Sequence, residues 1–140
     1  MFSARRVVLS WVAGFLATLL FHQPALWILH QAGITPRSPY SMTPMPPFGV
    51  PSVISLAFWG GVWGIIMIPA IARIRSEGAY WLAAIAFGAI LPTLVAVLVV
   101  APLKHMAVPH TTSNLVLGLT VNGAWGLGTA LLFRLFARSR

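Results

Sequence analysis

The sequence predicts an all-α polytopic membrane protein with four transmembrane helices arranged as two antiparallel hairpins. Three observations lead to this prediction. Of the 140 residues, 59% are hydrophobic and only 7% are charged. The apolar residues form four long stretches, and a helix of roughly 20 such residues crosses about 30 Å of hydrocarbon. The nine Lys and Arg residues flank these stretches, and Glu77 is the single acidic residue.

The predicted spans cover about residues 7–29, 50–71, 79–101 and 114–133. They leave only short connections between them. Residues 1–140 are therefore predicted to form one four-helix transmembrane domain.

The first stretch has two interpretations. Arg5 and Arg6 followed by an apolar run are also typical of a signal peptide. The run continues past Phe21 to Leu29, however, and no small-x-small cleavage site follows it. The sequence therefore favours an uncleaved first helix.

The connection over residues 31–49 is rich in proline, which fixes φ and removes a hydrogen-bond donor. Its prolines are Pro36, Pro39, Pro44, Pro46 and Pro47. We expect an extended, polyproline-like loop, lying over the outer end of the bundle as a lid or facing a neighbouring subunit. The connection over residues 72–78 is short and charged, which predicts a tight antiparallel pair of the second and third helices.

The basic residues are distributed unequally between the two ends of the predicted spans. If all four stretches cross the membrane, one side carries Arg5, Arg6, Arg73, Arg75, Arg134, Arg138 and Arg140. The other side carries Arg37 and Lys104. The positive-inside rule then places both termini in the cytoplasm. The predicted location is the bacterial inner membrane, with multiple passes.

Composition and patterning also exclude some partners and activities. The basic residues form no stripe or run of the kind that binds nucleic acid, so the lipid bilayer is the predicted partner. The chain has no cysteine, which excludes thiolate chemistry. Glu77 is alone among the titratable acids, and paired-carboxylate catalysis needs two. The sequence therefore predicts a protein that is not an enzyme.

Each helix carries a stripe of small residues, which allows helix backbones to approach closely in lipid. Gly60, Gly64, Gly118 and Gly126 are the predicted packing positions. A weak internal repeat links the second and fourth stretches: Gly-Val-Trp-Gly ending at Gly64 matches Gly-Ala-Trp-Gly ending at Gly126, 62 residues later. No matching pattern is evident between the first and third stretches.

Asn122 is the strongly polar side chain nearest the middle of a predicted span. An unsatisfied amide in hydrocarbon costs several kcal/mol, and Thr93 and Thr18 lie at broadly similar depth. One interpretation is a clamp between helices. The other is a polar point on a solute or ion path. Pro92, next to Thr93, would kink the third helix beside that path.

Four histidines fall near the predicted outer side: His22, His30, His105 and His110. Imidazole binds copper, zinc or haem iron. His22 and His30 lie about 12 Å apart along a helix, however, so they cannot share one ion. The histidines are weak candidates only, and no metal or other cofactor is predicted.

One resemblance extends over most of the chain. The proline-rich segment 38–52, the segment 58–64 (Phe-Trp-Gly-Gly-Val-Trp-Gly) and the segment 122–126 (Asn-Gly-Ala-Trp-Gly) carry it. In these segments the chain resembles small four-helix inner-membrane proteins of proteobacteria that have no assigned function. The resemblance implies location and topology, and no activity.

The leading functional prediction is a non-enzymatic accessory or scaffold subunit, or a homo-oligomer, packed through small-residue helix faces. Its partner would be another membrane subunit or a second copy of the chain. One alternative is a small channel or carrier for a neutral or anionic solute. The other alternative is a membrane subunit that binds haem, copper or a pigment.

Overall fold

The computed structural model describes residues 3–105 and 112–138, and these residues contain four long helices. The helices are α1 (Ala4–Gln31), α2 (Ser52–Ile71), α3 (Glu77–Leu103) and α4 (Thr112–Arg138). Each is long and apolar enough to cross a membrane. The prediction of an all-α chain with four such helices is confirmed.

Three of the four helices are longer at both ends than their predicted spans. Serine side chains explain two of the early starts, because a serine oxygen can accept a hydrogen bond from an amide of the first helical turn. Ser3 caps α1 by accepting from the amide of Arg6 at 3.4 Å. Ser76 caps α3 by accepting from the amide of Ala79 at 3.5 Å.

Helix α1 is not α-helical throughout. It contains a π-helical turn over Thr18–His22, where the amide of Gln23 donates to the carbonyl of Thr18, five residues back. Pro24 follows and has no amide hydrogen. The carbonyl of Leu19 therefore has no backbone donor four or five residues ahead, because Gln23 is already bonded and Pro24 cannot donate.

Helix α3 contains the same device near its end. A π-helical turn covers Ala96–Val100, the amide of Ala101 donates to the carbonyl of Ala96, and Pro102 follows. By the same reasoning, the carbonyl of Val97 lacks a backbone donor four or five residues ahead. Neither π-helical turn was foreseen from the sequence.

The helices pack in a chain of neighbours rather than around a symmetric ring. Helix α1 packs on α2 and on α4, and α3 packs on α4, whereas α2 and α3 make few contacts. The predicted tight pairing of the second and third helices is therefore wrong. The short connection brings their ends together, but the small-residue faces that allow close approach are directed at other helices.

The buried side chains form two clusters along the bundle. The larger cluster consists of Ala13, Ala17, Met67, Ile68, Ile71, Tyr80, Ala84, Trp125, Ala130 and Phe133. The smaller cluster consists of Leu26, Leu117 and Val121 and lies between α1 and α4. Helix α3 is the most outward-facing, since 17% of its most apolar window is buried against 39–44% in the others.

The connection between α1 and α2 contains a short antiparallel β-ribbon of Pro44–Met45 (β1) and Val50–Pro51 (β2). Its tight turn ends at Gly49, whose φ of 68° suits glycine. A uniformly extended loop was expected here. The difference follows from this turn, which reverses the chain and pairs the two short strands.

Candidate functional site

The middle of the bundle holds the predicted polar and packing residues, beginning with the contact of α1 and α2. A side chain at Gly64 would collide with the carbonyl oxygen of Ser10 and lie 3.2 Å from the Cα of Gly14. A side chain at Gly14 would collide in turn with the carbonyl oxygen of Gly60. The two backbones are therefore in direct contact, and only glycine fits at these positions.

The contact of α3 and α4 repeats this arrangement. A side chain at Gly126 would collide with the carbonyl oxygen of Ala84 and lie 3.0 Å from the Cα of Gly88. A side chain at Gly88 would lie 2.5 Å from the carbonyl oxygen of Asn122. Each position in α4 stands 62 residues after its counterpart in α2, and each position in α3 stands 74 residues after its counterpart in α1. The first and third helices therefore correspond in packing although their sequences do not align.

Asn122 joins α4 to α3 by a side-chain hydrogen bond. Its Nδ2 donates to the Oγ1 of Thr93 at 2.9 Å, and Thr93 is buried. A side chain at Gly118 would lie 3.1 Å from the Thr93 methyl group, so this glycine gives the threonine its space. Thr18, the other expected partner, is engaged elsewhere: its hydroxyl donates to the carbonyl of Gly14 at 3.1 Å.

Trp125 provides a polar link between α4 and α1 that was not predicted from the sequence. Its indole Nε1 donates to the carbonyl of Gly14 at 3.0 Å, and the side chain is 3% exposed. The carbonyl of Gly14 therefore serves three donors, because it also accepts from the amide and the hydroxyl of Thr18. A tryptophan inside a glycine stripe was the available signal, since an indole there must place its N–H on a nearby carbonyl.

The remaining buried polar side chains of the central bundle bond to the backbone of their own helix. Ser10 donates to the carbonyl of Arg6, and Thr129 donates to the carbonyl of Trp125. Among the described residues, no buried side-chain nitrogen or oxygen lacks a partner. The central polar groups thus form bonds between helices or within them.

The histidines do not converge. His22 contacts the side chain of Gln23 at 3.3 Å, and His30 contacts the carbonyl of Thr35 at 3.1 Å. His105 is exposed at the end of α3. His110 lies outside the described residues. Within residues 3–105 and 112–138, no three His, Cys, Asp or Glu side chains are grouped as metal ligands would be.

The loop after α1 is fixed to the π-helical turn of that helix by Tyr40. The Tyr40 amide donates to the Oε1 of Gln23 at 2.6 Å, and the Tyr40 hydroxyl donates to the carbonyl of Leu19 at 2.8 Å. Gln23 is buried at 3% exposure. The hydroxyl therefore reaches the carbonyl that Pro24 leaves without a backbone donor. We call the loop of residues 32–51 the strap.

Charged residues collect at the opposite end of the bundle from the strap. Glu77, in the first turn of α3, forms an ion pair with Arg134 of α4 and accepts from the Nε1 of Trp81 at 2.8 Å. The guanidinium of Arg134 lies 3.7 Å from the centre of the Tyr80 ring. The ion pair joins residues 57 positions apart.

Comparison with known proteins gave no match to any family model, curated protein or solved structure. The resemblance to small four-helix inner-membrane proteins therefore stays a prediction.

Proposed function

We propose that this chain is a multi-pass protein of the bacterial inner membrane that acts as a non-enzymatic accessory or scaffold subunit. Its four helices would cross the bilayer as two antiparallel hairpins with both termini in the cytoplasm. Its partner would be another membrane subunit or a second copy of the chain. The observation that carries the proposal is that the central polar groups of the bundle are bonded to one another or to backbone.

The distribution of charge supports the proposed orientation. Arg6, Arg134 and Arg138 line one cavity together with Ala72 and Ile74, which flank Arg73 in the chain. These basic residues therefore share one end of the bundle. Such clustering on one side is typical of the cytoplasmic ends of membrane helices.

The glycine faces, predicted as packing surfaces, are occupied within the chain, so a partner would have to bind elsewhere. Gly60, Gly64, Gly118 and Gly126 all face other helices of the same chain. A partner would therefore contact other surfaces. The strap is the best of these, because it is held in place by Tyr40 and exposes Met42 and Phe48.

Reporter fusions test the proposed topology. A cytoplasmic reporter joined after Arg138 or inserted at Arg75 should be active, and an extracytoplasmic reporter inserted at Phe48 should be active. The reverse pattern would contradict the orientation. If neither kind of reporter is active at one of these sites, the result would contradict the predicted spans that flank that site.

Single-cysteine cross-linking tests the proposed partner surface, because the natural chain contains no cysteine. Phe48→Cys places a thiol on the strap, where the side chain is 88% exposed. Leu98→Cys is the matched control on the outward face of α3, where the side chain is 67% exposed. We expect a specific adduct in native membranes from position 48 and none from position 98. A protein that is only monomeric, with no adduct from position 48, contradicts the proposal.

Solute flux separates this proposal from a channel or carrier. Liposomes containing the purified protein should leak chloride and glycerol no faster than empty liposomes, because Asn122 and Thr93 are bonded to each other. A flux that Asn122→Leu abolishes would instead assign these residues to a transport path.

A further inference from the structure

A cavity opens at the arginine-rich end of the bundle, where the ends of all four helices meet. Its volume is about 280 Å³. Three arginines line it, Arg6, Arg134 and Arg138. Ile68 and Phe133, both buried, provide apolar wall. The cavity thus combines cationic groups with an apolar surface.

Arg134 is held in a fixed orientation beside this cavity. Its guanidinium stacks on the Tyr80 ring at 3.7 Å and lies 4.9 Å from the Trp81 ring, and its Nη1 bonds to Glu77. An arginine fork has five N–H donors, and the bond to Glu77 uses one of its two terminal nitrogens. The rest of the fork is therefore pre-oriented at the cavity wall.

The described side chains around the cavity carry a net positive charge. Three arginines line it, and Glu77, the chain's single acidic residue, is bonded to one of them. Arg6 lies over the Phe133 ring at 5.9 Å, which places a second guanidinium next to the apolar wall. Planar guanidinium groups bind phosphate oxygens well, because they offer paired donors at matching spacing.

The cavity has an exposed wall on the side of α2 and α3. Its wall includes Ile68 and Ala72 from the end of α2 and Tyr80 from the start of α3. These two helices make few contacts with each other, and Ala72 is exposed. A molecule with a long apolar tail could therefore enter between them while its polar head stays at the arginines.

We infer that this cavity binds the phosphate group of an anionic phospholipid. The phosphate contacts the arginines, and the first carbons of the lipid lie on Ile68 and Phe133. Basic pockets at the cytoplasmic ends of membrane helices bind such head groups. This inference relies on the proposed membrane placement, but its test in detergent does not depend on which side the arginines face.

Native mass spectrometry of the full chain in detergent tests the inference, with phosphatidylglycerol as the probe and phosphatidylcholine as the neutral comparison. The first variant is the double substitution Arg6→Gln and Arg138→Gln. Its control is Arg73→Gln and Arg75→Gln, which removes the same charge from exposed residues of the same end that do not line the cavity. A second variant, Ala72→Trp, fills the entrance and keeps every charge.

We expect wild type to retain phosphatidylglycerol over phosphatidylcholine. Removing two cavity arginines should weaken that binding by about thirtyfold, and Ala72→Trp should also weaken it by about tenfold or more, while the control changes it about twofold at most. An equal loss in the control, or no preference for the anionic lipid, overturns the inference. Displacement of the lipid by millimolar inorganic phosphate would assign the site to free phosphate and also overturn it.

Discussion

Helices α1 and α2 meet backbone to backbone at Gly14 and Gly64. Helices α3 and α4 meet in the same way at Gly88 and Gly126. The glycine contacts within the two pairs are nearly identical, yet the contacts between the pairs are not. Helix α1 packs extensively on α4, whereas α2 barely touches α3. The two similar helix pairs are thus joined through the interface of α1 with α4, whereas the interface of α2 with α3 is left largely open.

The corresponding tryptophans show what makes the difference. Trp125 is buried and donates to the carbonyl of Gly14 across the closed interface. Trp63, its counterpart 62 residues earlier, is half-buried, packs against the larger cluster and makes an edge-to-face contact with Phe87, with ring centres 6.2 Å apart. A hydrogen bond to the backbone fixes a distance between helices in a way that a ring contact does not.

The largest expected effect comes from filling the glycine contacts. Gly14→Val and Gly88→Val should each lower the free energy of unfolding by about 3 kcal/mol, because overpacking a close contact displaces backbone. The measurement is reversible unfolding in mixed micelles, followed by circular dichroism. Gly78→Val is the control, since nothing lies within 4 Å of its added carbon. Very different losses at positions 14 and 88 would contradict the similarity of the two pairs.

The next effect distinguishes the two interfaces. Trp125→Phe should lower the free energy of unfolding by about 1.5 kcal/mol, because it removes the bond to Gly14 and leaves unfilled space. Trp63→Phe should cost less than half as much, measured in the same way. A larger loss at Trp63 would mean that the open interface contributes more to stability than its contacts indicate.

A smaller effect should follow from the hydrogen bond that belongs to only one pair. Asn122→Ala should cost about 1 kcal/mol, because interhelical hydrogen bonds of this kind contribute that much in membranes. Thr93→Val removes the other partner. In a double-mutant cycle the combined variant should cost less than the two single losses added together. Simple additivity would show that the bond contributes nothing.

The smallest effect is expected at the strap. Tyr40→Phe should cost about 0.5 kcal/mol, because a single hydrogen bond of this kind contributes little net stability in a membrane protein. The same substitution should increase protease cleavage within the strap. Phe48→Leu is the control, since that side chain is 88% exposed. Equal cleavage of the two variants would show that the Tyr40 hydroxyl does not hold the strap.

The four helices and some of the contacts between them can be predicted from the sequence, and other contacts cannot. Apolar length predicts the four helices, and glycine spacing predicts close packing at Gly60 and Gly126. Asn122 has few possible partners at its depth, so Thr93 could be named beforehand. Nothing local says which helix a small-residue face meets, and the weak contact of α2 with α3 was therefore missed.

The missed polar contacts have one common cause. The bonds from Trp125 to Gly14 and from Tyr40 to Leu19 join residues far apart in sequence. In both cases the acceptor is a backbone carbonyl, which every residue possesses and which leaves no mark in the sequence. The proline after the π-helical turn was visible, but its consequence for Leu19 required knowing where Tyr40 lies.

The π-helical turn of α3 has a consequence for how deep this helix sits. Among the described residues, no side chain donates to the Val97 carbonyl as Tyr40 does to the Leu19 carbonyl. A carbonyl without a hydrogen-bond partner in hydrocarbon costs several kcal/mol. In the proposed placement we expect it to lie where water reaches it. The stretch from Glu77 to Val97 is about 30 Å long at 1.5 Å per residue, which equals the thickness of the hydrocarbon layer. The acidic residue and the uncapped carbonyl would then mark the two water boundaries and fix the vertical register of the helix.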